Sequence, residues 1–262
     1  WYAFKDPRQF YYGAYVLNRA KMQEMAENNF KFVEKSGGLS NLPEDLTGRI
    51  AAIFLPLRHY EWGANTTNCQ MTAFGWGAAI TQGTMYATMD RLGMAQYLSR
   101  IGLLIDGNTG TSLIAAKQAW LDAPVWQPLR KLVEDMFVEK DWFELYVAQN
   151  FVVDGLLFPM VYQRFSTGLS QQGASAVAML TEFSDKWYAE NIRWVDATLK
   201  VAAAESPENR ALINKWIARW TGRAEEALEP LAELMYFEAG KEALAEAREQ
   251  LDARARESGL EG

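Results

Sequence analysis

The sequence predicts an all-α protein, a bundle of long helices. Three observations lead there. Apolar residues recur at helical spacing along most of the 262 residues. No segment alternates with the period of a strand or carries a hairpin dipeptide. Several candidate helices exceed the usual span of about 8–20 residues, and the central ones are apolar on more than one face. Such helices belong at the centre of a bundle, with shorter helices packed outside. The 19 Gly and 8 Pro fall slightly below average usage, which disfavours a turn-rich β fold.

The elements follow in order. Residues 1–6 read as an arm, and Asp6-Pro7 as an N-cap with proline at the first helical position. Tyr11, Tyr15, Met22, Met25, Phe30 and Val33 mark a first helix to Lys35, stopped by Gly37-Gly38. A long helix is expected from about Leu46 through the segment around Glu61, kinked at Pro56. Apolar content continues to Ile105, with Gly75, Gly77 and Gly83 as possible breaks, and Asp106-Gly107-Asn108 closes the block. Thr111–Asp122 is a shorter helix, and Pro124 and Pro128 bracket a turn before another at Leu129–Glu139. Asp141 to Glu144 has the spacing of a capping box and opens a helix towards Tyr162 or Phe165. After a break at Gly168–Gly173, a long helix runs to about Ala204. Ser206-Pro207-Glu208 starts the next. Residues 225–258 read as amphipathic, solvent-edged helices that fray after Gly259. The whole of 1–262 is expected to form a single domain, with no repeat period of the solenoid type.

Composition removes several function classes. With 49% hydrophobic residues the chain is not disordered. A net charge of −7 leaves no basic excess to displace the counterions of a nucleic acid. The single cysteine, Cys69, rules out an internal disulfide framework and Cys-based zinc or iron–sulfur sites, and a reducing, cytoplasmic setting fits. The sequence begins at Trp1 and shows no signal peptide, so it reads as a processed or truncated segment. Trp62 to Met89 carries no charge, but its many amides and hydroxyls suit a buried core helix rather than a membrane span.

One histidine, His59, limits the chemistry: no site needing two imidazoles can be built from one copy of the chain. A long-helix bundle raises the hypothesis of a di-iron carboxylate centre, which takes a Glu from each of two helices and a Glu-x-x-His from each of two others. Glu61, Asp90, Asp154 and Glu190 lie on apolar or uncharged segments at spacings that suit folded-back helix pairs. The histidines are missing, since Gly93 follows Asp90 by three and Arg193 follows Glu190 by three. A guanidinium cannot ligate a metal but can neutralise a carboxylate, so a metal-free bundle is favoured, with Arg193 as the expected partner of a central carboxylate. No catalytic, cofactor-binding or metal-ligating residue is therefore expected.

The remaining candidates take plainer readings. His59 is expected to be partly buried and bonded to a neighbouring helix, and Cys69 to be an inert core thiol. Asp106 to Gly110 lacks the full calcium loop and reads as a turn. No GxxxxGK(S/T) or GxGxxG is present. Trp1, Tyr2, Phe4, Phe10, Tyr11, Tyr12 and Tyr15 crowd the start, and are divided between docking on their own bundle and packing on another chain.

Three segments carry a family resemblance: Asp6-Pro7-Arg8-Gln9-Phe10-Tyr11-Tyr12, Arg58-His59-Tyr60-Glu61-Trp62-Gly63-Ala64-Asn65, and Trp187-Tyr188 with Arg193-Trp194-Val195-Asp196. With their order and the absent histidines, the chain resembles the β subunit of bacterial multicomponent monooxygenase hydroxylases, nearest the phenol hydroxylase oxygenase component. The resemblance extends over nearly the whole chain; family members carry a further N-terminal segment before the equivalent of Trp1. It implies a ferritin-like, ribonucleotide-reductase-like bundle without the di-iron ligands of the catalytic α subunit. It further implies a hydroxylase of two copies each of α, β and a small γ (α₂β₂γ₂), served by a coupling protein and an NADH-dependent reductase holding FAD and an iron–sulfur cluster. The reaction so implied is O₂-dependent hydroxylation of phenol to catechol in α, with toluene, alkenes or methane as substrates of relatives. A stand-alone ferritin-like metalloprotein and a helical adaptor with no oxygenase partner are the competing classes.

Overall fold

The computed structural model describes residues 1–261, and among them it is all helix with no strand. Four helices form the central bundle. α3 (Leu57–Phe74) and α4 (Ala78–Ile105) make an antiparallel hairpin, turned at Gly75–Gly77. α7 (Trp142–Gln171) and α8 (Ser175–Glu205) make the second, with α8 against α4 and the start of α7 against α3. The other helices surround this core: α1 (Tyr12–Ser36), α2 (Glu44–Phe54), α5 (Thr111–Asp122), α6 (Gln127–Phe137), α9 (Pro207–Tyr236) and α10 (Gly240–Glu257).

Most boundaries have a local cause. Gly37 ends α1 with a φ of 67°, a left-handed conformation that glycine takes without a Cβ penalty. The Asp141 carboxylate accepts from the Phe143 and Glu144 backbone N–H groups, and Ser206 Oγ accepts from Asn209 N–H, so both act as N-caps. Glu144 does not return the bond to Asp141 as a capping box requires, because its side chain accepts from Arg219 and Trp220 of α9.

Three expectations are corrected. Asp6-Pro7 does not start a helix: the Asp6 carboxylate is taken by the Arg8 guanidinium and backbone N–H, Gln9 has a φ of 54°, and α1 begins at Tyr12. The helix expected across Leu46–Glu61 is two helices, because Pro56 lacks the N–H needed to continue α2 and instead stands at the start of α3. The uncharged stretch from Trp62 to Met89 is a helical hairpin and not one buried helix, and one face of it lies on the surface.

α7 is the helix with the deepest burial. Every residue from Glu144 to Tyr162 is buried, and it is the one described helix long and apolar enough to cross a membrane by length and composition. Two π-helical segments, Val147–Val153 and Pro159–Phe165, interrupt its α geometry, the second opening at Pro159, which cannot donate a backbone hydrogen bond.

Candidate functional site

The four carboxylates on the central helices do not converge on one point. They separate into two clusters, each gathered by one arginine, and pair across the bundle: Glu61 with Asp154, and Asp90 with Glu190.

The deeper cluster lies between α3, α4 and α7. Arg91 continues the apolar stripe of α4 formed by Ile80, Ala87, Met94, Leu98 and Ile101, which carries its guanidinium into the core. Arg91 Nη1 donates to Glu61 Oε2 at 2.9 Å, and Nη2 donates to Asp154 Oδ2. Asp154 Oδ1 also accepts from Tyr60 Oη at 2.6 Å and from Gln149 Nε2 at 3.2 Å. Gln149 Oε1 in turn accepts from Thr67 Oγ1 at 3.1 Å. The guanidinium carbon stands 4.4 Å from the centroid of Trp187 and 5.3 Å from that of Phe158. All three charged side chains are fully inaccessible.

This cluster holds two carboxyl groups and one guanidinium, so the charges cancel only if one carboxyl keeps its proton. Asp154 takes three donors, whereas Glu61 takes Arg91 alone and its Oε1 has no hydrogen-bond partner among the described residues. Burial, opposed by Arg91 and reinforced by Asp154, pushes the Glu61 carboxyl up to about 7. Burial also raises Asp154, against the pull of Arg91 and its hydrogen bonds, and lifts the Tyr60 hydroxyl well above its ordinary value, with Asp154 adding to the effect.

The second cluster is nearer the surface, between α1, α4 and α8. Arg19 donates through Nε to Asp90 Oδ1 and through Nη2 to Asp90 Oδ2, both at 2.8 Å, and Nη2 also reaches Glu190 Oε1 at 2.7 Å. Tyr15 Oη completes Oδ1 at 2.8 Å and Trp187 Nε1 completes Oδ2 at 2.8 Å. Trp187 thus touches both clusters, by its ring face on one side and its N–H on the other.

Arg193 takes no part in either. It is exposed on α8, and its Nη2 reaches the Pro7 carbonyl at 3.4 Å and no carboxylate. The helical phase explains the correction, because Asn191, Trp194 and Val195 fill the buried face and leave position 193 outward. A central carboxylate is paired with arginine as expected, but Arg91 and Arg19 supply it. Arg91 was legible as a charged residue in phase with an apolar stripe.

Among the described residues no three His, Cys, Asp or Glu side chains are placed to share a metal ion. The residues three after Glu61 and Asp154 are Ala64 and Leu157, and a fixed cation already lies between the two carboxyls. This donor set does not fit a di-iron centre, which needs imidazoles and carboxylates free of an ion pair.

The secondary candidates are settled by position. His59 is half-buried as expected and stacks its ring 5.9 Å from that of Trp120 on α5, but its hydrogen bond does not come from a neighbouring helix: Nε2 accepts from Nε of the adjacent Arg58 on α3 at 3.3 Å. Burial, with Arg58 and Lys117 nearby, pulls it down to about 4, so it is a neutral packing group. Cys69 is exposed and not a core thiol, since it lies two turns from exposed Trp62 on the same side of α3. Asp106 to Gly110 is a turn in which Asp106 accepts from Ser112 N–H and Oγ at the start of α5. The N-terminal aromatics divide: Phe4 and Tyr15 are buried on the bundle, while Tyr2, Tyr11 and Tyr12 are exposed.

Residues 1–206 match the family model described as Methane/Phenol/Alkene Hydroxylase. The chain is 54% identical over 233 residues to the phenol 2-monooxygenase oxygenase component DmpL of Pseudomonas sp. strain CF600, an alignment that covers 89% of this chain and 70% of that protein. It is 24% identical over 234 residues, 87% of this chain and 70% of the relative, to the hydroxylase component subunit beta of the toluene-4-monooxygenase system of Ectopseudomonas mendocina. The crystal structure of xenon-pressurised phenol hydroxylase from Pseudomonas sp. OX1 superposes with a TM-score of 0.96 at 48% identity, covering all of this chain and 79% of that one.

Proposed function

This chain belongs to the methane/phenol/alkene hydroxylase family and is 54% identical to a phenol 2-monooxygenase oxygenase component, and we propose that it is the non-catalytic β subunit of such a hydroxylase. The reading is that of a single-domain structural partner to a catalytic α subunit and a small γ in an α₂β₂γ₂ hydroxylase. Iron belongs to α, and FAD with an iron–sulfur cluster to an NADH-linked reductase that works with a coupling protein in the cytoplasm. The overall reaction is ring hydroxylation of phenol to catechol.

One observation carries this reading: the Arg91 guanidinium bonds to both Glu61 and Asp154 in a fully buried site. A fixed organic cation there occupies the space between the inner carboxyls and offers no coordination position, which supports a bundle-stabilising role for the pair over iron ligation. Phenol is favoured over toluene as the substrate of the assembly because identity is 54% to the phenol enzyme component and 24% to the toluene one.

The test is elemental analysis of the purified chain alongside the assembled hydroxylase. The expected result is iron in the assembly and none in stoichiometric amount on this chain, with catechol formed only by the assembly. Stoichiometric iron on the isolated chain, with a di-ferric absorbance band, would overturn the reading in favour of a ferritin-like metalloprotein.

A further inference from the structure

A cavity of about 340 Å³ separates part of the N-terminal arm from α4. Lys5, Asp6, Gln9 and Phe10 wall it on the arm side, and Gln82 and Tyr86 on the helix side. The arm that closes it is fixed at several points. Arg8 is paired with Asp6, and its guanidinium carbon lies 4.7 Å from the centroid of the buried Trp194 ring. Gln9 is held at a φ of 54°, and Gln82 Nε2 donates to the Phe10 carbonyl at 3.1 Å. The cavity is therefore built into the fold, and its volume falls in the range of about 300–1,000 Å³ common to small-molecule sites.

Two polar groups in its wall have bonding capacity left over. The Phe10 carbonyl can only accept, so the Gln82 amide must turn its nitrogen towards it, and the same nitrogen donates to Tyr86 Oη at 2.6 Å. Tyr86 Oη is thus the acceptor in that bond, and its own hydrogen meets no acceptor among the described residues. Gln82 Oε1 likewise meets no donor among them. Tyr86 is only 4% exposed, and a buried hydroxyl hydrogen left unpaired is costly. The Asp6 carboxylate offers nothing further, because Arg8 holds both of its oxygens.

A donor and an acceptor set side by side suit one oxygen that can both accept and donate, which is a hydroxyl. A carboxylate can answer Tyr86 but is repelled by Gln82 Oε1, and Lys5, exposed at the mouth, disfavours a cation. The Phe10 and Tyr86 rings, edge to face with centroids 6.4 Å apart, supply an aromatic lining for a flat apolar ring. We propose that this cavity binds a single-ring phenol, whose hydroxyl accepts from Tyr86 and donates to Gln82 Oε1 while its ring packs on Phe10. The match with the substrate class of the assembly rests on the reading of this chain as part of a phenol hydroxylase; the ligand chemistry comes from the cavity itself.

Crystals of the assembled hydroxylase are soaked in 4-bromophenol, and bromine is located by its anomalous scattering. A bromine peak is expected in the cavity between Phe10 and Tyr86. Bromobenzene, without the hydroxyl, and 4-bromobenzoate, which cannot donate, should give none. In solution, ligand-observed NMR on the purified chain should show 4-bromophenol binding at least tenfold more weakly to Tyr86→Phe. That variant keeps the ring and its stack on Tyr15, so its thermal unfolding should be unchanged. No peak in the cavity, an equal peak with bromobenzene or 4-bromobenzoate, or unaltered affinity in Tyr86→Phe would each overturn the proposal. A peak in the crystal without binding in solution is binding at crystal concentration only, and overturns it as well. If the assembly binds 4-bromophenol here but does not hydroxylate phenol, the site stands and the functional reading fails.

Discussion

Asp90 and Arg91 are consecutive residues of α4 that serve two different charge networks, and the Trp187 indole joins them by donating its N–H to Asp90 while its face lies 4.4 Å from the Arg91 guanidinium. A one-residue step along a helix turns a side chain by about 100°, enough to send neighbours to opposite neighbours in a bundle. Asp90 therefore answers to α1 and α8, and Arg91 to α3 and α7.

Removing the inner cation should be costly. Arg91→Met leaves Glu61 and Asp154 facing each other without a cationic partner, and the expected loss is about 3–5 kcal/mol in urea unfolding of the purified chain. Adding Glu61→Gln and Asp154→Asn to the same chain should recover most of it, because the buried charge has gone. A triple variant no more stable than the single one would show that shape, not charge, dominates the site.

Glu61 should give the chain a pH dependence of unusual sign. Its carboxyl titrates at about 7 in the fold against 4.5 ordinarily, so the folded state holds the proton more tightly than the unfolded chain. The stability this provides is complete below about pH 4.5 and is lost as pH rises through 7, amounting to about 3 kcal/mol. Unfolding free energies at pH 5, 6, 7 and 8 should show Glu61→Gln gaining on the unmodified chain across that window. Parallel profiles would mean that Glu61 is ionised throughout.

Trp187→Phe separates the two bonds of the indole. The ring remains over Arg91, but the N–H to Asp90 is lost, and removing a hydrogen bond to a charged acceptor should cost about 1.5–3 kcal/mol. If Asp90→Asn in the Phe background costs as much as it does in the unmodified chain, the two residues are not coupled, which a double-mutant cycle would reveal directly.

Gly83 should not tolerate a methyl group. A Cβ there would stand 2.7 Å from the buried Trp194 ring, which is held between α4 and α8 and cannot swing aside as a flexible side chain would. Gly83→Ala is expected to destabilise the chain by about 1–3 kcal/mol despite the better helix propensity of alanine. A higher melting temperature would show that α4 and α8 separate freely at this point.

The elements were legible in the sequence wherever a backbone group carried its own signal. Thr111–Asp122 is found with the expected limits, Ser206 caps α9, and Gly37 stops α1. Asp6-Pro7 misled because Arg8 competes for the capping carboxylate, a side-chain contact that residue type does not reveal. The site was half legible. Carboxylates on apolar segments could be listed, but which of them meet depends on how two hairpins dock, and that is set by packing of uncharged surfaces. The spacing from Glu190 points to Arg193, whereas the phase of α8 turns it to solvent, and Arg91, next to Asp90 in sequence, faces the other pair of helices.

The enclosure of α7 bears on how this chain can be synthesised and shortened. Its coat comes from both directions: α3 is made before it, while α8, α9 and α10 emerge after it. From the far end of the chain, α10 approaches so closely that a Cβ on Gly155 would meet Leu251 at 2.8 Å, and Arg254 lies 4.8 Å from the Phe151 ring centroid. A nascent chain ending at residue 206, where the family match ends, would hold an apolar rod with one side still open to water. The last two helices, outside the matched region, are therefore the closing wall of the core, and a deletion there strikes the middle of the protein and not its edge.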